Sequence, residues 1–312
     1  VKTVWAPINV ESEGSTTAPA KKLNELCRLL PDGSEISISL SNEKLFIESG
    51  AGKYSISTLP SNDFPIFDVE NENTEFTILG SVLRNLIIKT SFAMGNQDWR
   101  HYLNGTYIEC AMGSLKMVAT DAHRLAMYKK EFKTEAEFSG IIPRKTCMEI
   151  MRILPKENEK IKFFIDQNRI VFSSSNFIFK SKLIDANFPN YNQVIPSGDF
   201  IEIKVNREEL LDIVSRVSVL SNDKFKGVKL KSEGNLLKIF SSNNDQESAE
   251  EELQLEVANE GFEIAFNVNY LREMLNTIED ESISIQSFGN EKSALMKTTN
   301  DKRVLVLMPV RL

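Results

Sequence analysis

Histidine is nearly absent from this sequence: its 312 residues include two, His101 and His123. Cysteine is scarce as well, with Cys27, Cys110 and Cys147 far apart and no C-x-x-C among them. Two histidines and three scattered cysteines cannot complete a usual zinc set, so no metal is expected. They also make a poor disulfide framework; buried, reduced thiols in a cytoplasmic protein are the expectation. No run of eighteen apolar residues occurs, which excludes an ordinary membrane-spanning helix, and no membrane partner is expected. The chain opens on Val1 without a charged segment leading into an apolar stretch, so no secretory signal is read there. The 14 glycines form no G-x-G-x-x-G, and neither a P-loop nor a nucleophile elbow is found, so no cofactor is expected. A net charge of −7 argues against general nucleic-acid affinity. A basic face on an acidic body would escape that argument, because binding follows the local field.

What the sequence does contain is repetition. Five segments carry apolar residues at i, i+3, i+4 and i+7, the spacing of one helical face. They are Leu23/Leu26/Cys27/Leu30, Leu83/Leu86/Ile87/Thr90, Cys147/Ile150/Met151/Leu154, Leu210/Ile213/Val214/Val217 and Leu271/Met274/Leu275/Ile278. Runs of alternating apolar residues follow three of these helices and predict strands at 34–40, 44–49 and 53–59, at 160–166, 169–174 and 177–184, and at 282–288, 293–298 and 303–309. Leu23 precedes Pro65 by 42 positions and Cys147 precedes Pro189 by 42; Leu271 precedes Pro309 by 38. The pattern predicts an α+β fold of repeated units, each one helix plus a short antiparallel meander. Five units are seen, at two to a domain. A sixth is therefore expected upstream of Val1, with half a domain at 1–73 and whole domains at 74–197 and 198–312.

The stretch VATDAHRLAMYKK (118–130) holds one of the two histidines, between Asp121 and Arg124. The residues alone leave a catalytic Asp–His pair, a binding element and a simple strand end all open. On the first and third helices, Lys21 with Arg28 and Lys145 with Arg152 lie at i and i+7, away from the apolar stripes, although Glu25 and Glu149 interrupt both faces.

VATDAHRLA (118–126), KLIDANFPNYNQVIP (182–196), LSNDKFKGVKL (220–230), FNVNYL (266–271) and VLVLMPVRL (304–312) closely resemble the bacterial beta sliding clamp, the processivity subunit of DNA polymerase III. The resemblance covers essentially the whole chain. It implies three similar domains per subunit, the first truncated here, and a head-to-tail homodimer that closes a ring around duplex DNA. It also implies a non-catalytic protein that a loader must open with ATP.

Three surfaces follow from the resemblance. A pocket for peptides of the Gln-Leu-x-Leu-Phe kind would lie between the second and third domains. Its members would be Leu103, Thr120, His123, Arg124, Leu125, Pro189, Val194, Asn267, Tyr270, Val306, Met308, Pro309, Val310, Arg311 and Leu312. Through it the DNA polymerase III catalytic subunit, the clamp loader, other polymerases and repair proteins would dock. The residue types suit this: Leu, Val, Met and Pro for an apolar floor, with a few oriented polar groups. The family's usual Gly after Thr-Asp is Ala122 here, and Gln193 and Val310 also depart from its pattern. Second, Lys21, Gln97, Arg100, His101 and Tyr102 would touch DNA without reading sequence, since tight contacts would stop sliding. Third, Tyr54 and Ile56 of one subunit would meet Val219 and Leu220 of the next. Two rival classes remain: an enzyme built on Asp121 and His123, and a repeat-built scaffold that never meets DNA.

Overall fold

The computed structural model describes residues 2–3, 9–64, 76–154, 159–222, 224, 226–289, 291–299 and 302–311. Helices form where the apolar stripes lie: α1 (Ala20–Leu29), α2 (Gly80–Ser91), α3 (Arg144–Ile153), α4 (Arg207–Val217) and α5 (Val268–Asn276). Side chains start the last two. Asn206 Oδ1 accepts from the Glu208 and Glu209 amides, and Asn267 Oδ1 accepts from those of Asn269 and Tyr270, two of the donors a helix start leaves free. The stripes of α2, α4 and α5 are buried, as are Cys147 and Ile150 of α3.

The chain forms two compact units, Val4–Asn73 and Val1–Thr3 with Thr74–Leu312. In the smaller, an antiparallel sheet of three strands runs Ser37–Ser41, Lys44–Ser49, Gly52–Ser57. Its core is small: Leu45, Ile47 and Ile56, against Ala18, Leu23 and Leu26. No residue of α1 is fully buried, because only one side of the helix has a sheet to pack on. The expectation of three buried thiols is therefore corrected at Cys27, which is exposed; Cys110 and Cys147 are buried.

Among the described residues the larger unit forms three sheets. Its eight-stranded sheet runs Ile201–Asn206, Ser282–Ser287, Ala294–Lys297, Arg303–Leu307, Arg124–Glu131, Ser114–Thr120, Gly105–Ala111, Phe138–Pro143. Residues from two distant parts of the chain thus share one sheet, joined where Arg303–Leu307 pairs with Arg124–Glu131. At this seam Tyr128 faces Arg303, Leu125 faces Val306 and Arg124 faces Leu307. Alternation divides the seam between two cores. Ala119, Ala126, Tyr128, Leu305 and Leu307 join the helix-side core. Val118, Leu125, Met127, Leu295 and Val306 form a separate cluster on the other face.

A five-stranded sheet (Lys2–Thr3, Phe177–Lys182, Arg169–Ser173, Lys160–Ile165, Phe76–Leu79) and a four-stranded one (Ser248–Gln254, Leu236–Ser242, Gly227–Glu233, Glu263–Asn267) complete the unit. The five-stranded sheet packs through an aromatic knot. The Phe163 ring lies 5.2 Å from Phe76, 5.7 Å from Phe138, 6.1 Å from Phe132 and 6.2 Å from Phe172. Among the described residues, no helix is long and apolar enough to cross a membrane, and no cluster of His, Cys, Asp and Glu could hold a metal.

Two tests follow from this packing. Phe163→Ala should cost about 3–5 kcal/mol in thermal or denaturant unfolding, since it removes the centre of the knot. At pH 8 a thiol reagent should label Cys27 quickly in the native protein and all three cysteines after denaturation. Burial pushes the Cys147 thiol up to about 12 and raises that of Cys110, so neither presents thiolate while folded.

Candidate functional site

The turn in VATDAHRLA reverses the chain between Ser114–Thr120 and Arg124–Glu131. Short side chains close it. Thr120 Oγ1 donates to the Arg124 carbonyl at 2.7 Å and accepts from the Ala122 amide at 3.1 Å. Asp121 Oδ1 accepts from the amides of His123 and Arg124, each at 3.0 Å. Ala122 sits at φ 73°, in the left-handed region that a side chain disfavours. That geometry accounts for the glycine expected there.

Arg124 is the centre of the site. Its side chain is 7 % exposed, with Nε donating to Asp121 Oδ2 at 3.0 Å and Nη1 to Glu273 Oε2 at 2.6 Å. Its guanidinium lies 4.4 Å from the Tyr270 ring centre and 5.4 Å from that of Phe92. A buried cation thus has two carboxylates and two ring faces, the compensation such a charge requires. His123 is exposed, its ring stacked on Tyr270 at 5.9 Å. Its carbonyl accepts the Met308 amide at 2.8 Å, fastening the segment after the last strand across the turn. The Val310 amide donates in turn to the Ala265 carbonyl at 2.8 Å.

The Asp–His enzyme reading fails on this geometry. Both oxygens of Asp121 are occupied, one by backbone amides and one by Arg124, so Asp121 holds the turn and the arginine rather than the His123 imidazole.

The apolar floor spans the seam. Leu125 and Val306 face each other in register, each 2 % exposed, and cluster with Val118, Met127, Leu295 and Tyr191. The segment 188–195 forms a wall, with Phe188 stacked on Tyr107 at 4.8 Å. The Tyr191 hydroxyl donates to Glu109 at 3.1 Å, and Lys116 holds that carboxylate at 3.2 Å. Burial, with the neighbouring Glu109 carboxylate adding to it, raises the Tyr191 phenol. In the same segment Pro189 and Val194 are exposed, and after the last strand Met308 is 46 % exposed.

Most of the expected pocket residues therefore converge on the seam. Asn267 also serves as the cap of α5, Leu103 is buried in a 3-10 turn, and Arg311 is exposed and paired with Glu291 at 2.7 Å. Leu312 lies outside the described residues. The sequence reading missed Val118, Met127, Tyr191, Leu295 and Glu273. Alternation marks Val118 and Met127 as companions of Leu125; nothing local marks Glu273.

The loop 96–102 lies near this turn. The Asp98–Arg100 pair dominates it, with bonds of 3.0 and 2.9 Å that hold the Asp98 carboxyl down at about 2. His123 lowers Asp98 slightly further, and Asp121 adds to the raising of Arg100. Asn104 braces the loop through the Asp98 amide and carbonyl. Gln97 and His101 are exposed, and Tyr102 is half-buried. Lys21 lies in the smaller unit, on the exposed face of α1, 4.0 Å from Glu25. Tyr54 is exposed on an edge strand of that unit, whereas Ile56 is 8 % exposed and part of its core. Val219, at 78 % exposure, and half-buried Leu220 follow α4.

Comparison with known proteins agrees with this architecture. Residues 2–68, 77–190 and 192–311 match the family models for the N-terminal, central and C-terminal domains of the DNA polymerase III beta subunit. The Pseudomonas aeruginosa beta sliding clamp is 39 % identical over 302 residues, covering 96 % of this chain and 82 % of that one. The Escherichia coli K12 beta sliding clamp is 36 % identical over 309 residues, covering 98 % and 84 %. A crystal structure of the Pseudomonas aeruginosa subunit superposes with a TM-score of 0.92 at 39 % identity, over 97 % of this chain and 84 % of that one. With its fold, its domain series and nearly all of its length matched, this chain belongs to the DNA polymerase III beta subunit family, the bacterial beta sliding clamps.

Proposed function

We propose that the seam groove docks short linear peptides of the Gln-Leu-x-Leu-Phe kind. These would be carried by the DNA polymerase III catalytic subunit, the clamp loader, other polymerases and repair proteins. The observation that carries this reading is the apposition of Leu125 and Val306 across the seam, clustered with Tyr191 of the segment that also carries exposed Pro189 and Val194, and with the Met308 amide bonded to the His123 carbonyl at its end. An apolar floor with a few fixed polar groups suits a peptide with apolar anchors, and methionine adapts to varied partners. Domains at 1–73, 74–197 and 198–312 would place this groove between the second and third.

The exposed loop around Gln97, Arg100, His101 and Tyr102, together with Lys21, would touch the phosphates of duplex DNA without reading bases. The subunit would close a head-to-tail homodimeric ring, with Tyr54 of one copy against Val219 and Leu220 of the next. Ile56, buried in the core of its own unit, would stay out of that contact. A partner tethered this way rebinds its template at high local concentration rather than by repeated free encounter.

Fluorescence anisotropy of a labelled Gln-Leu-x-Leu-Phe peptide should show saturable binding that His123→Ala/Met308→Ala weakens at least tenfold. Unchanged affinity in the folded variant would remove the groove as the docking site. Lys21→Ala/Arg100→Ala should lower DNA affinity and flatten its salt dependence, by roughly one unit of slope per lost phosphate contact. Identical slopes, or no salt-dependent association at all, would favour the scaffold reading.

A further inference from the structure

Arg124 lies at one end of the seam. At the other end, roughly 13 Å away along the strand pair, lies a second buried arginine with no assigned role. Arg303 is 7 % exposed and faces Tyr128 across the seam, on the same helix-facing side as Arg124. Among the described residues none of its hydrogen bonds goes to a carboxylate, although the charges of Glu279 and Asp280 lie within electrostatic reach. Nη1 donates to the Thr277 carbonyl at 2.7 Å, and Nη2 to the Thr277 hydroxyl at 2.5 Å and the Lys89 carbonyl at 3.4 Å.

Those acceptors are the C-terminal ends of two helices. Lys89 lies in the last turn of α2, within the stretch matched by the central-domain model. Its carbonyl has lost its ordinary partner: the Ala93 amide turns to Thr90 and the Met94 amide to Ser91, tightening the end of the helix. Thr277 is the C-cap of α5, within the stretch matched by the C-terminal-domain model. Each helix end carries partial negative charge, and one guanidinium placed between them satisfies both. The planar fork of arginine can hold two fixed acceptors at once; a lysine ammonium has no such preset geometry. Lys89 reinforces the junction, 3.6 Å from Glu279 and 5.1 Å from the Tyr128 ring centre.

We infer that Arg303 is a positioning residue that clamps α2 to α5 and thereby fixes the angle between the central and C-terminal domains across the seam. The Arg124 end alone would leave the strand pair a pivot; a second strut at the far end removes that freedom. The docking groove straddles the same pair, so its width depends on the strut. This second consequence rests on the peptide-docking reading. Burial pulls Arg303 down to about 10, which leaves the strut charged at neutral pH.

The test is a distance measurement. Spin labels at Ser139→Cys and Glu252→Cys, both exposed strand positions, would report across the seam in a Cys27→Ser background. In the otherwise native protein, pulsed double resonance should give a narrow distance distribution. Arg303→Met should broaden or shift it while near-ultraviolet circular dichroism stays native. Arg303→Lys, which keeps the charge and loses the fork, should also broaden it, and it decides the matter if the methionine variant fails to fold. Peptide affinity should fall about threefold or more in the same variants. A distribution of unchanged width in folded Arg303→Lys would overturn the proposal and leave Arg303 a stabilising plug. Absence of peptide binding by the unsubstituted protein would count against the docking reading alone, since the distances are read without peptide.

Discussion

The larger unit depends on one pairing, that of residues 124–131 with residues 303–307. It turns two locally assembled groups of strands into one eight-stranded sheet and sets Leu125 beside Val306. No local rule brings these segments together. Their meeting closes a long loop, an entropic cost that grows only slowly with length but must be met before the contact gives anything back. What offsets it lies on both faces: the helix-side core beneath, the Leu125–Val306 cluster above, and a buried guanidinium at each end. Such charges destabilise a fold unless their neighbours receive them; here carboxylates, ring faces and helix carbonyls do so, with Arg303 Nε alone of the two groups left buried without a partner among the described residues.

That cost also shows where sequence reading stops. Each helix stripe was legible, as were the strands within 34–59, 160–184 and 282–309, because burial on one face imposes a period that the sequence must carry; the strands between Gly105 and Pro143 and between Gly227 and Asn267 were not singled out. The fivefold repeat was legible for the same reason. The seam was not, since alternation tells which residues share a face and never which strand lies alongside. Val118 and Met127 could have been placed on the floor by extending the alternation around Leu125. Glu273 could not, because its relation to Arg124 exists only once the sheet has closed. Cys27 misled because a helical stripe shows which side could be covered, not how much sheet is there to cover it.

As a member of the sliding-clamp family the chain is a non-catalytic processivity subunit, and its chemistry agrees with that. Asp121, the one acid beside His123 in sequence, holds a turn and an arginine rather than a proton relay. Titratable groups here act as struts and caps. Their displaced proton affinities report burial and pairing, the structural cause that perturbed values share with catalytic sites.

The fastening at the end of the seam is made by main-chain atoms: the His123 carbonyl to the Met308 amide, and the Val310 amide to the Ala265 carbonyl. The side chains at 308 and 310 are therefore released from holding the frame, whereas the His123 ring packs on Tyr270. Mutation can explore those two positions while the clasp beneath persists. On the peptide-docking reading proposed above, lineages can thus retune which ligands they favour without rebuilding the protein. A compound that anchors to the clasp rather than to those side chains would be correspondingly hard to escape by substitution.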